Sequence, residues 1–430
     1  MPCPTAWPRV SVVDVCESIV DCVNKTAPVV DYPTPYKMIR TTNVRDGWVD
    51  LTSVRCVDEA TFAKWTRRQR PMRGDVILTR EAPLGEVGLL RSDECVFLGQ
   101  RLVAYRADPR KLDNRFLLYA MLGEDMQGQI RSMGSGATVE HMRVPDCEKL
   151  TLRLPAIDIQ RRIGAVLSAY DDLIENNTRR IAILEEMARR IYEEWFVRFR
   201  FPGHEGVRMV ESELGLVPEG WRAGTVADVA IVYRGRSYKG SELAESGGRP
   251  FVNLKCMERD GGFRASGLKR YTGEFKDSQT VRPGDMVMGI TDMTQERRIV
   301  ARVGRVSGLD ADFGVFSMDL VRIASRGVYA EPYLYAMFRW SGFADEVKQH
   351  ANGANVLHLL PARIEEFAFV RPTPELAAKF ADLFEPMLSL WDKLERKNAN
   401  LRTTRDLLLP KLISGELDVS AVPEPEAAAA

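Results

Sequence analysis

The cysteines of this chain are not arranged for a disulfide framework or a zinc ribbon. Seven are present (Cys3, Cys16, Cys22, Cys56, Cys95, Cys147 and Cys256), an odd and scattered set with no Cys-x-x-Cys spacing. That is the usage of reduced thiols in a cytoplasmic protein. Histidine is scarcer: His141, His204, His350 and His358 complete the count, and no His-Glu-x-x-His occurs. No apolar run approaches the ~18–20 residues of a membrane span. Residues 1–13 lack a basic segment followed by an apolar core, so no signal peptide is expected. An excess of one charge is missing too, since 60 basic residues meet 60 acidic ones. The balance argues against a surface coated in positive charge, while a local basic patch remains compatible with it.

Catalytic signatures are equally sparse. There is no Asn/Asp-Pro-Pro-aromatic loop of the kind that holds a target amino group in amino-methyltransferases. Gly235-Arg236-Ser237-Tyr238-Lys239-Gly240-Ser241 comes near a phosphate loop, but Ser241 stands where the lysine must be. Without that point charge a nucleotide's β- and γ-phosphates lose their partner. No Ser/His/Asp set suggests itself, and no catalytic residue or metal ligand is expected.

What the chain does have is length for two or three domains and 45 % apolar residues, enough for proper cores. Its organising stretch runs from about Asp158 to Phe199. Stepping by four and three gives Ile163, Leu167, Tyr170, Ile174, Asn177, Ile181, Leu184, Ala188, Ile191 and Trp195, with Asn177 the one polar member. This heptad seam predicts a long helix held against another helix. At ~1.5 Å per residue, roughly 40 residues reach about 60 Å, more than one globular core needs. The same stepping recurs at Phe380, Phe384, Met387, Trp391, Leu394, Asn398, Leu401, Arg405, Leu408 and Leu412. A buried asparagine can set helix register. Arg405 at a seam position suggests that the seam opens toward its end. Trp195, Phe196 and Phe199 could either cap a core or dock a partner.

The remainder reads as one pattern written twice. Arg70-Pro71-Met72-Arg73-Gly74-Asp75-Val76-Ile77-Leu78 matches Val281-Arg282-Pro283-Gly284-Asp285-Met286-Val287-Met288, a turn followed by an apolar strand. A short helix around Phe116–Met121 echoes one around Tyr333–Met337. Gly136-Ala137-Thr138-Val139-Glu140-His141 echoes Gly353-Ala354-Asn355-Val356-Leu357-His358. From there the copies keep the offset of 217 residues that separates His141 from His358. His141 and His358 are expected to make structural hydrogen bonds. The offset pairs Asn177 with Leu394, so a facing Asn177–Asn398 pair is not implied.

The expected architecture is α+β: two strand-rich recognition domains in internal repeat, joined by two long helices packed as an antiparallel coiled coil. The expected limits are 1–155 for the first domain, 156–201 for the central helix, 202–372 for the second domain, 373–416 for the distal helix, and 417–430 for a disordered tail. Two readers on a helical spacer match the two half-sites of a duplex.

At this point the chain resembles the DNA-specificity subunit of type I restriction–modification systems over nearly its whole length. The similarity rests on Leu154-Pro155-Ala156-Ile157-Asp158-Ile159-Gln160-Arg161-Arg162-Ile163, the closing Trp195-Phe196-Val197-Arg198-Phe199, the entry Val217-Pro218-Glu219-Gly220-Trp221 and the end Leu408-Leu409-Pro410-Lys411-Leu412-Ile413-Ser414-Gly415. The second long helix departs from the pattern, opening with Pro372-Thr373-Pro374-Glu375-Leu376 and no glutamine. The resemblance implies a non-catalytic subunit whose two target-recognition domains each read half of a split, asymmetric site. It implies double-stranded DNA, methyltransferase subunits and motor-nuclease subunits as partners. S-adenosylmethionine, ATP and Mg would belong to those partners, leaving this chain without a cofactor.

Base reading needs polar side chains on loops that can enter a groove. The candidates in the first domain are Arg40, Thr42, Asn43 and Arg45 after a strand, Thr79 and Arg80 at the end of another, and Arg67, Arg68 and Arg70 in the densest basic run. That run could equally be a solvated helix face. In the second domain they are Tyr238, Lys239, Asn253, Lys255, Thr291, Arg297 and Arg298. The competing reading is a protein-binding scaffold without DNA specificity. A nuclease fused to a reader is a third, against which the missing motifs speak.

Overall fold

The computed structural model describes residues 7–136 and 140–423. The chain is mixed helix and sheet, and its contacts divide it into two compact units. One comprises residues up to Glu175 together with those from Ala399 onward; the other is Asn176–Asn398. Both divisions fall inside long helices, Ile157–Tyr192 and Pro374–Ser414, and not at the helix ends where the domain limits were expected. The physical reason is burial. Ile163, Leu167 and Leu412 lie in the first unit's core, whereas Ala188, Tyr192, Phe380 and Phe384 lie in the second's. Each helix portion is bound to the core that covers its apolar face.

In the first unit a six-stranded sheet has the order Cys16–Asp21, Leu102–Ala107, Val76–Arg80, Leu84–Leu89, Gly47–Val49, Val44–Arg45. Its pairs are antiparallel except Gly47–Val49 beside Leu84–Leu89. A second sheet sets Tyr36–Ile39 parallel to Cys95–Leu98. Helix Asn114–Leu122 buries Phe116 through Met121 without a break, and Asp113 caps it by accepting the Phe116 N–H at 2.9 Å.

In the second unit a four-stranded antiparallel sheet has the order Ala230–Arg234, Leu320–Ser325, Met286–Gly289, Val303–Arg305. In its five-stranded sheet Arg249–Val252 runs parallel to Gly314–Phe316. Helix Glu331–Trp340 buries Tyr333 through Phe338. The turn-then-strand motif explains itself in both units. Gly74 and Gly284 take φ of 96° and 98°, and the next residue closes the turn: Asp75 accepts the Met72 N–H at 3.0 Å, Asp285 the Arg282 N–H at 2.8 Å.

None of the twenty seam positions is exposed, but several details differ from expectation. The first long helix is α-helical to Tyr192 and widens into a π turn over Glu193–Val197, where Arg198 N–H reaches Glu193 O at 2.9 Å. Phe199, at φ 58°, then turns the chain before Pro202 is reached. The aromatics there belong to the second core. Phe196 lies 5.3 Å from Phe380 and 5.0 Å from Tyr333, and Phe199 lies 5.2 Å from Trp221, centroid to centroid.

Asn177 does meet Asn398, donating to its Oδ1 at 2.8 Å, with both side chains buried. Nor does the seam open at Arg405: its Nη1 lies 2.5 Å from Asp171, which is 1 % exposed and also accepts the Tyr119 hydroxyl at 2.6 Å. Residues 417–423 are not the start of a disordered tail. Val419 is buried in the first core, and Arg162 donates to Ser420 O at 2.9 Å; residues 424–430 lie outside the described ones.

Six described cysteines are free thiols. Burial pushes Cys16 up to about 12 and Cys147 and Cys256 up to about 11, the condition of inert packing residues. No helix among the described residues is long and apolar enough to cross a membrane.

Candidate nucleic-acid interface

Strand Tyr36–Ile39 runs out into the turn that carries Arg40, Thr42 and Asn43, and Arg45 ends the short strand Val44–Arg45 that follows. Asn43, 2 % exposed, accepts the Arg40 N–H at 2.9 Å and donates to Ser53 Oγ at 3.2 Å. Ser53 Oγ donates to Asp50 at 3.0 Å, and Asp50 accepts both the Thr52 hydroxyl and the Thr52 N–H. These donors, the Thr52 hydroxyl foremost, hold the Asp50 carboxyl below its ordinary range. Arg40 adds a weak bond to Ser53 O at 3.4 Å. Thr42 and Arg45 stand exposed, Arg45 at 4.0 Å from Glu86.

Thr79 is fully buried, donating to Pro83 O at 2.6 Å and accepting the Glu86 N–H at 2.9 Å. Arg80 donates to Met142 O at 2.9 Å.

The basic run follows helix Glu59–Trp65, which Asp58 caps through the Thr61 N–H at 2.7 Å. Arg67, Arg68 and Arg70 are exposed. Arg68 is ion-paired with Asp21, and Arg70 lies over the Phe62 ring at 5.7 Å. Asp21 ends one edge strand of the six-stranded sheet, and Arg45 lies on the other edge strand. Arg68 and Arg45 are thus placed at opposite sheet edges, while Thr79 and Arg80 end the inner strand Val76–Arg80.

In the second unit Asn253, 5 % exposed, accepts the Lys255 N–H at 2.9 Å and donates to Gly267 O at 2.8 Å, leaving Lys255 exposed beside it. Tyr238 packs edge-on against Phe251 at 4.8 Å; Lys239 is exposed. The phosphate-loop lookalike has another purpose. A Cβ on Gly235 would sit 2.1 Å from Ser317 O, so that glycine permits a close backbone approach.

Thr291, 4 % exposed, faces His358 Nδ1 at 3.4 Å. The following loop is built on Asp292, which is 1 % exposed and accepts the Thr294 and Ile299 N–H groups at 2.9 and 2.8 Å. Arg298 is ion-paired with Asp260, and Arg297 donates to Gln349 at 2.8 Å. The Arg298 guanidinium holds the Asp260 carboxyl low.

Four of the sixteen candidates are thus corrected. Asn43, Thr79, Asn253 and Thr291 have their polar atoms inside the fold, where they shape loops and present nothing to a groove. The signal that marked them, polarity at a strand end, is shared by groove readers and by buried loop-builders. Of the two histidines, His358 makes the side-chain contact just described. His141 is tied by its backbone, exchanging bonds with Ser135 at 2.9 and 3.0 Å.

Sequence reasoning passed over one feature of each unit. Residues 99–101 form a tip: Gly99 N–H reaches Ile39 O at 2.7 Å and Arg80 N–H reaches Arg101 O at 2.8 Å. Residues 317–319 form another: Ser317 N–H reaches Val252 O at 2.9 Å and Ile290 N–H reaches Asp319 O at 2.9 Å. The available signal was their common place, just before strands Leu102–Ala107 and Leu320–Ser325. Among the described residues no group of His, Cys, Asp and Glu could hold a metal ion.

Both units are sheet-rich, and each contains part of both long helices. Residues 62–186 match the type I restriction modification DNA specificity domain, and over most of its length the chain is similar to type I restriction enzyme specificity subunits. It is 24 % identical over 357 residues to the type I restriction enzyme MjaIX specificity subunit of Methanocaldococcus jannaschii, covering 81 % of this chain and 78 % of that one. It is 24 % identical over 171 residues to the MjaVIII specificity subunit of the same organism, 38 % of either chain. Its fold is similar to that of the type I restriction-modification S subunit from M. genitalium, with a TM-score of 0.56 and 15 % identity over 94 % of this chain and 96 % of that one.

Proposed function

We propose that this chain gives a type I restriction–modification complex its DNA sequence preference. Each unit reads one half of a split, asymmetric duplex site. The long helices pair antiparallel, set the unread spacer, and dock methyltransferase and motor-nuclease subunits, which bring S-adenosylmethionine, ATP and Mg. The observation that carries this reading is the like build of the units. In both, the sheet runs from its earliest strand to its latest and then to two strands that lie between them in the chain, the first unit adding Gly47–Val49 and Val44–Arg45 beyond these, and in both a strand pair ties the entry to the exit: Arg9–Ser11 with Thr151–Arg153, and Arg222–Thr225 with Ala368–Arg371. Such a duplication suits a target with two half-sites. Antiparallel pairing is supported within the second unit, where Asn177 meets Asn398 while Tyr192 lies 5.9 Å from Phe380.

The DNA-facing set is Arg40, Thr42, Arg45, Arg67, Arg68, Arg70 and Arg80 in the first unit and Tyr238, Lys239, Lys255, Arg297 and Arg298 in the second, most of them as phosphate contacts. The test is the host methylome with and without this gene, the partner genes intact. A two-part adenine motif should vanish on deletion. An unchanged methylome overturns the reading and favours a scaffold without DNA specificity.

A further inference from the structure

We propose that the two tips, residues 99–101 and 317–319, are the base-discriminating elements of their units, and that their unlike chemistry makes the two half-sites different. This rests on the reading that each unit recognises one half-site. The tips occupy the same place in their units. Each begins where a central parallel strand, Tyr36–Ile39 or Arg249–Val252, hands its last carbonyl to the tip's first N–H, and each ends against the chain leaving Val76–Arg80 or Met286–Gly289. The backbone is therefore anchored on both sides, while Gln100 and Arg101 of one tip and Met318 of the other are exposed.

In the first unit the outward residues are Gln100 and Arg101, both exposed. Arg101 sits at φ 71°, a left-handed position that glycine or asparagine would occupy with less strain. Its guanidinium lies 3.2 Å from Glu81 and is still half exposed. Gln100 Oε1 takes the Thr26 hydroxyl at 3.1 Å, which orients the amide and leaves both N–H donors and one lone pair outward. Glutamine and arginine are the side chains suited to two-point hydrogen bonding with adenine and guanine edges in the major groove.

In the second unit the same place holds Met318, 53 % exposed, with Asp319 turned into the fold beside it. The neighbouring segment, joined through the Ile290–Asp319 bond, leads within three residues to Met293, 64 % exposed. A methionine offers no donor to a base edge. It offers apolar contact to a thymine methyl or a wedge between base steps. One tip is built for hydrogen-bonded purine edges and the other for apolar contact.

Methylomes of cells carrying the complete system with Arg101→Gly, Arg101→Lys or Met318→Ala test this. Glycine is relaxed at φ 71°, so Arg101→Gly should keep or raise the melting temperature of the purified chain while it removes the reader. Arg101→Lys keeps the charge and loses the fork. Both should relax one base position of one half-site by about tenfold or more, leaving the other half-site intact. Met318→Ala should relax the opposite half-site. The proposal is overturned if the two-part motif is unchanged in all three variants, if Arg101 and Met318 variants relax the same half-site, or if a folded Arg101→Gly chain loses all methylation evenly. Gene deletion in the same strain separates this failure from failure of the underlying reading, because a motif that persists after deletion removes the half-sites themselves.

Discussion

At the scale of single residues, Asp171 shows how burial turns a seam charge into structure. Its carboxylate is 1 % exposed and is answered by Arg405 and by the Tyr119 hydroxyl, with Arg91 3.8 Å away. Arg91 also lies 3.7 Å over the Trp48 ring. Burial and the Asp171 carboxylate together push the Tyr119 hydroxyl well above its ordinary range. Asp171→Ala should cost about 1–3 kcal/mol, because it leaves the buried Tyr119 hydroxyl without its acceptor and takes from Arg405 one of its two carboxylates, Asp406 being the other; chemical denaturation of the purified chain reads this directly. Asp171→Asn, which keeps a hydrogen-bond acceptor, should cost less. Nothing in the heptad stepping marked Asp171, since it lies one position from the seam residue Tyr170, and only the fold puts Tyr119 and Arg405 beside it.

At the scale of elements, the long helices were the most legible part of the chain. Periodicity over ten positions survives local irregularity, so both helices stand where the stepping put them, apart from the π turn that accommodates Trp195 and Phe196. The Asn177–Asn398 bond could not be obtained from the repeat offset, because in the antiparallel pairing proposed above facing residues run in opposite directions and share no constant offset. Asn177→Leu should cost about 1–2 kcal/mol by removing one partner of a buried bond, and adding Asn398→Leu should recover much of that loss; a double-mutant cycle in urea measures the coupling. The segment after the second helix is a matching case in reverse. Composition suggested disorder beyond residue 416, yet Val419 is 4 % exposed in the first core. Truncation after Glu416 should lower stability by about 1.5–3 kcal/mol, the worth of a buried valine-sized side chain, visible as a lower melting temperature.

At the scale of the whole molecule, a formal net charge of zero coexists with local basic groups. Under the proposed function, affinity of the chain in complex with its partner subunits for duplex DNA should fall steeply with salt, since phosphate contacts release counterions. Arg67→Ala should reduce the log–log salt slope by about one and weaken binding evenly across sequences, leaving the methylated motif as it was. Arg101→Gly should do the converse. Fluorescence anisotropy titrations at several salt concentrations, on cognate and altered duplexes, distinguish the two.

The sequence by itself determined the class of the fold, the two long helices, the recurrence of a turn-and-strand pattern and the absence of a recognisable catalytic motif. All of these are written in local chemistry: periodicity, glycine and proline punctuation, and spacing of side chains a few residues apart. Only the tertiary structure decided which polar residues face outward. Asn43 and Gln100 are both amide-bearing or polar residues near a strand end, yet one is sealed by Ser53 and the Arg40 backbone while the other is exposed on a tip. Burial depends on how each loop folds back on itself, as Ser53 returns to Asn43, and on what arrives from elsewhere in the chain, as Tyr119 and Arg405 meet Asp171; neither is written in the residues adjacent in sequence.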